Sequence, residues 1–111
     1  MKMREIMRHS LACIILVVGA LVIVQLACER RSAKMSVCNY NLMQIRYAKQ
    51  QWAGNYGKTT NDIPVWNDLR PFFPDEWSNR IPVCPSGGTY SIGSVGEDPK
   101  CSIGGKGHSL Q

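Results

Sequence analysis

Pro82-Val83-Cys84-Pro85-Ser86-Gly87-Gly88-Thr89-Tyr90-Ser91-Ile92-Gly93-Ser94-Val95-Gly96-Glu97-Asp98-Pro99-Lys100-Cys101-Ser102 is the stretch on which the reading of this chain turns. Two cysteines enclose 16 residues crowded with turn formers. Gly87-Gly88 reads as a tight turn and Ser94–Pro99 as another. Thr89-Tyr90-Ser91-Ile92 alternates polar and apolar, as a half-buried strand does. Ile81–Val83 and Lys100–Ile103 are further short strand candidates. The expectation is a hairpin stapled by a Cys84–Cys101 disulfide, with Cys38 unpaired. Closing a loop of this size contributes about 3 kcal/mol by chain entropy.

Towards the N-terminus the character changes. Leu11 to Cys28 is 18 residues without a charge, and only Gln25 is strongly polar. As a helix it spans roughly 27 Å, close to the ~30 Å hydrocarbon thickness of a bilayer. Residues 1–10 form a basic flank, 11–28 a transmembrane anchor, 29–53 an amphipathic helical stem and 54–111 a small head. Two other readings of the apolar run stay open. Lys2, Arg4 and Arg8 can open a secretory signal, and Leu26-Ala27-Cys28 resembles a lipobox that would leave the chain lipid-anchored at Cys28. Six basic residues flank the run, three on each side, so the positive-inside rule is nearly balanced. Cys84 and Cys101 then favour an oxidising compartment for the head.

Proline is absent before Pro64, and Gly19 is the only glycine before Gly54. A helix can therefore run unbroken from about Leu11 to Ala53. In its second half Met35, Cys38, Leu42, Ile45 and Trp52 recur at helical spacing with Ala48 beside them. Arg46, Lys49, Gln50 and Gln51 are expected on or near the outer face. Gly54 or Gly57 ends the helix. Pro64 opens a short helix to about Phe73, with Trp66, Leu69, Phe72 and Phe73 inward. Head and stem are expected to pack through Leu42, Ile45, Trp52, Trp66 and Phe72. The fold class is α+β: one long N-terminal helix on a small stapled head with a short helix and short antiparallel strands.

Charge narrows the function classes. Residues 1–58 carry nine Lys/Arg and two Asp/Glu, whereas residues 59–111 carry four and six. The excess of cations thus flanks the apolar run and lines the stem. That suits anionic lipid headgroups better than a nucleic acid, which a folded basic surface would serve. His9 and His108 are the only histidines, and neither a CxxC nor a carboxylate cluster with metal-ligand spacing occurs. No catalytic, cofactor-binding or metal-ligating residue is therefore assigned, and no small-molecule substrate is expected. The paired acids Asp75-Glu76 and Glu97-Asp98 read as solvated turns, with a calcium site as a minor alternative.

The chain from Cys38 onward resembles the pilin-like (pseudopilin) proteins of type II secretion and type IV pilus systems. The resemblance lies in Cys38-Asn39, Asn41-Leu42, Gln44-Ile45, Ala48-Lys49-Gln50-Gln51-Trp52-Ala53, Asp68-Leu69 and Pro71-Phe72. It continues through Pro82-Val83-Cys84-Pro85, Gly87-Gly88-Thr89-Tyr90-Ser91-Ile92-Gly93, Cys101-Ser102 and Gly107-His108. It implies a non-enzymatic structural part in a bacterial inner membrane, single-pass, and the cysteines put its C-terminal domain outside the cytoplasm. Its partners would be membrane lipids and other pilin-like subunits or secretion components. Alternatives are a lipoprotein with a binding-module head and a DNA-binding competence-type pilin. Family members carry a Glu a few residues into the apolar run, and Leu11–Cys28 has none. That difference implies an uncut anchor that stays a monomer or small oligomer.

Overall fold

A computed structural model describes residues 2–110. Helix α1 spans Lys2–Tyr56, α2 spans Trp66–Leu69, and two 3-10 turns follow at Arg70–Phe72 and Asp75–Trp77. Strands β1 (Tyr90–Ser91) and β2 (Lys100–Cys101) pair antiparallel, with Tyr90 opposite Cys101 and Ser91 opposite Lys100. The architecture is α+β with one long N-terminal helix. By contacts the chain forms two units, Met1–Ser32 and Ala33–Gln111.

In the first unit the helix starts at Lys2, so the basic flank is helical as well. Leu11 to Leu26 leave their side chains exposed. An 18-residue window of this helix is long and apolar enough to cross a membrane, and none of it is buried.

In the second unit α1 supplies the core stripe: Cys38, Asn41, Leu42, Ile45, Ala48, Lys49 and Trp52 are buried. The spacings of three and four residues keep them on one face. Met35, a turn earlier, is half-buried. The helix ends at Gly57, whose φ is 61°, and the Lys58 N–H donates to the Ala53 carbonyl at 2.9 Å. That six-to-one bond is the Schellman closure, and it requires the left-handed conformation that glycine takes at little cost.

α2 is shorter than expected. Pro64 is buried before it rather than inside it, and Asp68 closes the first turn by accepting from the Val65 N–H at 2.9 Å. Pro71 has no N–H to donate, and the chain tightens into a 3-10 turn at Arg70–Phe72. Leu69 is wholly buried, and Trp66, Phe72 and Phe73 pack half-buried against the core. Phe73 meets Trp77 edge-on with ring centroids 5.3 Å apart. Ile81–Val83 is not a strand, and Ile81 and Val83 point to solvent. Instead the Val83 carbonyl accepts from Asn41 Nδ2 at 3.4 Å.

Lys49 corrects the expected outer face of the stem: it is 1% exposed. Its Nζ donates to the carbonyls of Ile92, at 2.7 Å, and Glu97. Arg46 one turn earlier pairs with Asp98 at 2.7 Å. The same loop is held from its other side. The Val95 and Gly96 N–H groups donate to the carbonyls of Asp62 and Thr60, each at 2.9 Å. The loop joining β1 to β2 is thus tied to α1 by two cations and to the post-helix segment by two backbone bonds.

Candidate functional site

The expected Cys84–Cys101 disulfide is not formed. All five cysteines are free, and Cys38, Cys84 and Cys101 are buried together. A disulfide-stapled head is therefore not shown. Cys38 joins the other two, and His108 completes the group. The donor atoms of Cys38, Cys84, Cys101 and His108 all lie within 4.8 Å of one another. His108 Nδ1 stands 3.5 Å from Cys84 Sγ and 4.0 Å from Cys101 Sγ. The sequence assigns no metal ligands, so this gathering differs from its reading.

Each member arrives from a different segment. Cys38 sits on the buried face of α1, wholly enclosed. Cys84 opens a turn in which its N–H donates to the Gly88 carbonyl at 3.1 Å while the Gly87 N–H returns to the Cys84 carbonyl at 3.0 Å. Cys101 is the inward residue of β2. Its partner strand presses Tyr90 inward on the same face, as cross-strand neighbours must. His108 follows a turn closed by its own N–H on the Gly105 carbonyl at 3.1 Å.

Two glycines make the approach possible. A Cβ on Gly88 would stand 2.8 Å from Cys101 Sγ. One on Gly107 would stand 2.6 Å from Met35 Sδ and 2.7 Å from Met35 Cβ, and the φ of Gly107 is +82°. Only a residue without a side chain lets the tail lie this close to α1. Asn39, with its amide nitrogen turned towards the tail, donates to the carbonyls of Ser109 and Gly107 at 3.2 and 3.3 Å.

The sulfurs are not equivalent. Burial pushes the Cys38 thiol up to about 12, although the neighbouring Tyr90 hydroxyl opposes the rise. Burial would raise Cys84 too, but the Ser86 and Gly88 N–H groups and the Cys38 and Cys101 thiols outweigh it and bring it down to about 7. The Tyr90 hydroxyl, also raised by burial, accepts from Asn41 Nδ2 at 3.1 Å. Asn41 and Tyr90 thus form a polar pair inside the core.

The residues expected to join head and stem are placed as follows. Leu42 and Ile45 are fully buried, Trp52 is 8% exposed, and Trp66 and Phe72 pack half-buried on the same cluster. Lys58 lies over the Trp52 ring, 5.4 Å from its centroid. Of the acids in the calcium alternative, Glu97 and Asp98 are engaged elsewhere. Asp98 pairs with Arg46, and the Glu97 carboxylate accepts from the Ser94 N–H at 3.2 Å. Compared with family models, curated proteins and solved structures, the chain matches none.

Proposed function

We propose that this protein is a membrane-anchored, pilin-like structural or interaction subunit, a minor or degenerate part of a type II secretion or pilus-like apparatus, and not an enzyme. The observation that carries the proposal is the division of labour along α1. Leu11 to Leu26 expose an apolar surface that water does not favour, and Cys38 to Trp52 of the same helix supply the stripe on which the head condenses. One helix that serves first as anchor and then as core scaffold is the arrangement the pilin-like resemblance implies. The cations around and after the run place positive charge where anionic headgroups attract it, about 1 kcal/mol for each one near the surface.

The free thiols remove the redox argument for orientation. The outward-facing head, in a bacterial inner membrane, is part of the same proposal. The test is expression of the full chain in a bacterium, followed by carbonate extraction, protease treatment of intact spheroplasts and mass spectrometry of the N-terminus. The expected outcome is an integral-membrane chain with residues 1–10 retained and a head open to external protease. Release by carbonate, or acylated Cys28 as the first residue, would overturn the anchor reading. The latter would establish the lipoprotein instead.

A further inference from the structure

We propose that Cys38, Cys84, Cys101 and His108 form a closed structural site for Zn2+, and that this site, not a disulfide, staples the head. The inference stands on the geometry of the four donors and is independent of the pilin-like reading.

The separations fit a tetrahedron. With Zn–S about 2.3 Å and Zn–N about 2.0–2.1 Å, tetrahedral angles place sulfur and nitrogen roughly 3.5 Å apart and two sulfurs roughly 3.8 Å apart. The observed S···N distances are 3.5 and 4.0 Å, and every donor pair lies within 4.8 Å. A disulfide needs about 2.0 Å between two sulfurs and would leave the third cysteine and the histidine without a role. The donor set decides the ion. Three sulfurs and an imidazole suit Zn2+, whereas Ca2+ and Mg2+ take oxygen ligands.

Burial decides the kind of site. None of the four residues is more than 8% exposed, so four protein ligands fill the coordination and no position is left open for water or substrate. That is the closed pattern of structural zinc, not the open one of catalytic zinc. Orienting groups are in place as well. The Cys84 turn is fixed by its backbone bonds to Gly87 and Gly88, and Tyr90, opposite Cys101 on the paired strand, has its hydroxyl held by Asn41 Nδ2 at 3.1 Å. Such outer partners hold ligands in register. Metal on His108 Nδ1 leaves Nε2 to carry the ring proton, and the thiol protons leave to solvent on binding.

The fold gives the ion something to do. The paired strands are two residues each, and among the described residues three of the eleven buried hydrophobic ones are these cysteines. A head so thin needs a cross-link, and a metal is one of the few that small domains use. One ion would tie α1, the Cys84 turn, β2 and the C-terminal segment at a single point.

The experiment uses the full chain extracted in detergent, without chelator. Expected are one zinc per chain by elemental analysis, release by a mercurial reagent, and, with Co2+ instead, a tetrahedral spectrum with sulfur-to-cobalt charge transfer. Cys101→Ser and His108→Ala should lower zinc from one per chain to near none, while Cys13→Ser and Cys28→Ser leave it unchanged. Those cluster variants can unfold for other reasons. The second arm therefore reloads the stripped wild-type chain under reducing conditions: Zn2+ should raise its thermal midpoint and equimolar Ca2+ should not. Failure of the stripped chain to take up Zn2+, an octahedral cobalt spectrum, full zinc content in Cys101→Ser, or a Cys84–Cys101 disulfide peptide from the protein as isolated would each overturn the proposal.

Discussion

The Nζ of Lys49 donates to the Ile92 carbonyl across 2.7 Å, in a part of the head where the lysine is 1% exposed. The contact joins the later part of the α1 stripe to the start of the β1–β2 loop, 43 residues away in sequence. A buried ammonium is tolerated because carbonyl oxygens replace its water.

Lys49→Met keeps most of the stem's volume and leaves the Ile92 and Glu97 carbonyls without their donor. Hydrogen bonds to charged groups are worth about 1.5–3 kcal/mol, so a loss of about 2–3 kcal/mol is expected in urea titrations of the detergent-solubilised full chain. Arg46→Met removes a half-exposed pair and should cost under about 1 kcal/mol. Equal costs for the two would contradict the clamp. The pH dependence gives a second reading. Burial lowers the Lys49 pKa, against the opposing pull of Asp98 and Glu97. The folded chain therefore releases this proton before the unfolded chain does, and its contribution to stability rises with pH from the lowered midpoint up to 10.5. The difference between wild type and Lys49→Met across that range isolates the effect.

Gly107→Ala forces a side chain into a left-handed backbone and onto Met35. Conformational strain and overpacking each cost about 1–3 kcal/mol, so a combined loss of about 2–4 kcal/mol is expected in the same titration. Adding Met35→Ala should restore little, because Met35 Cβ itself lies 2.7 Å from the new atom. Full rescue by Met35→Ala would show that the tail does not lie on α1 as described.

Trp52→Ala should cost about 3–5 kcal/mol, the range for emptying a well-packed aromatic site. Lys58→Met removes only the cation above the ring, worth roughly 0.5–1 kcal/mol. An unchanged urea midpoint in Trp52→Ala would place the ring outside the core.

Two surface carboxylates should titrate below their ordinary values. Asp62 is held down first by the Thr59 N–H and then by the Thr59 hydroxyl, and Glu97 by the backbone and hydroxyl of Ser94. The stability each turn gains is present above 3.8 and 4.5 respectively and is lost as pH falls through the lowered midpoints. Carbon-detected NMR of the side-chain carboxyls reads both directly, and midpoints at or above the ordinary values would remove the two turns from the description.

Much of this architecture can be read in the chain because it follows from local rules. The helix is continuous since no proline interrupts it, and Gly57 ends it by a conformation few other residues take. Lys49 shows where hydropathy misleads. The series Leu42, Ile45, Lys49, Trp52 keeps helical spacing throughout, so position places the lysine inward although its chemistry reads outward. What it meets there, two carbonyls from a distant loop, has no local signal. The cysteine group escapes for a related reason. Cys84 and Cys101 lie close in sequence and invite pairing with each other, whereas Cys38 and His108 reach them only through the tertiary fold. The spacing of 46 residues from Cys38 to Cys84 carries no ligand signature. The backbone itself held a hint, since Gly107 directly precedes His108.

The stripe on α1 also sets an order of events. Its own helical bonds are local, but Asn41 and Lys49 find their partners 42 to 49 residues later. Local structure forms in about a microsecond, while distant pairings wait on loop closure. On these timescales the helix would be a template formed before the head has a core, with the loops assembling on it afterwards. Substitutions that weaken the helix between Cys38 and Trp52 would then mainly slow folding, and those in the β1–β2 loop would mainly hasten unfolding. For this chain the long helix would then be the early part of the folding reaction, and the segment after Gly57 the part that comes undone first.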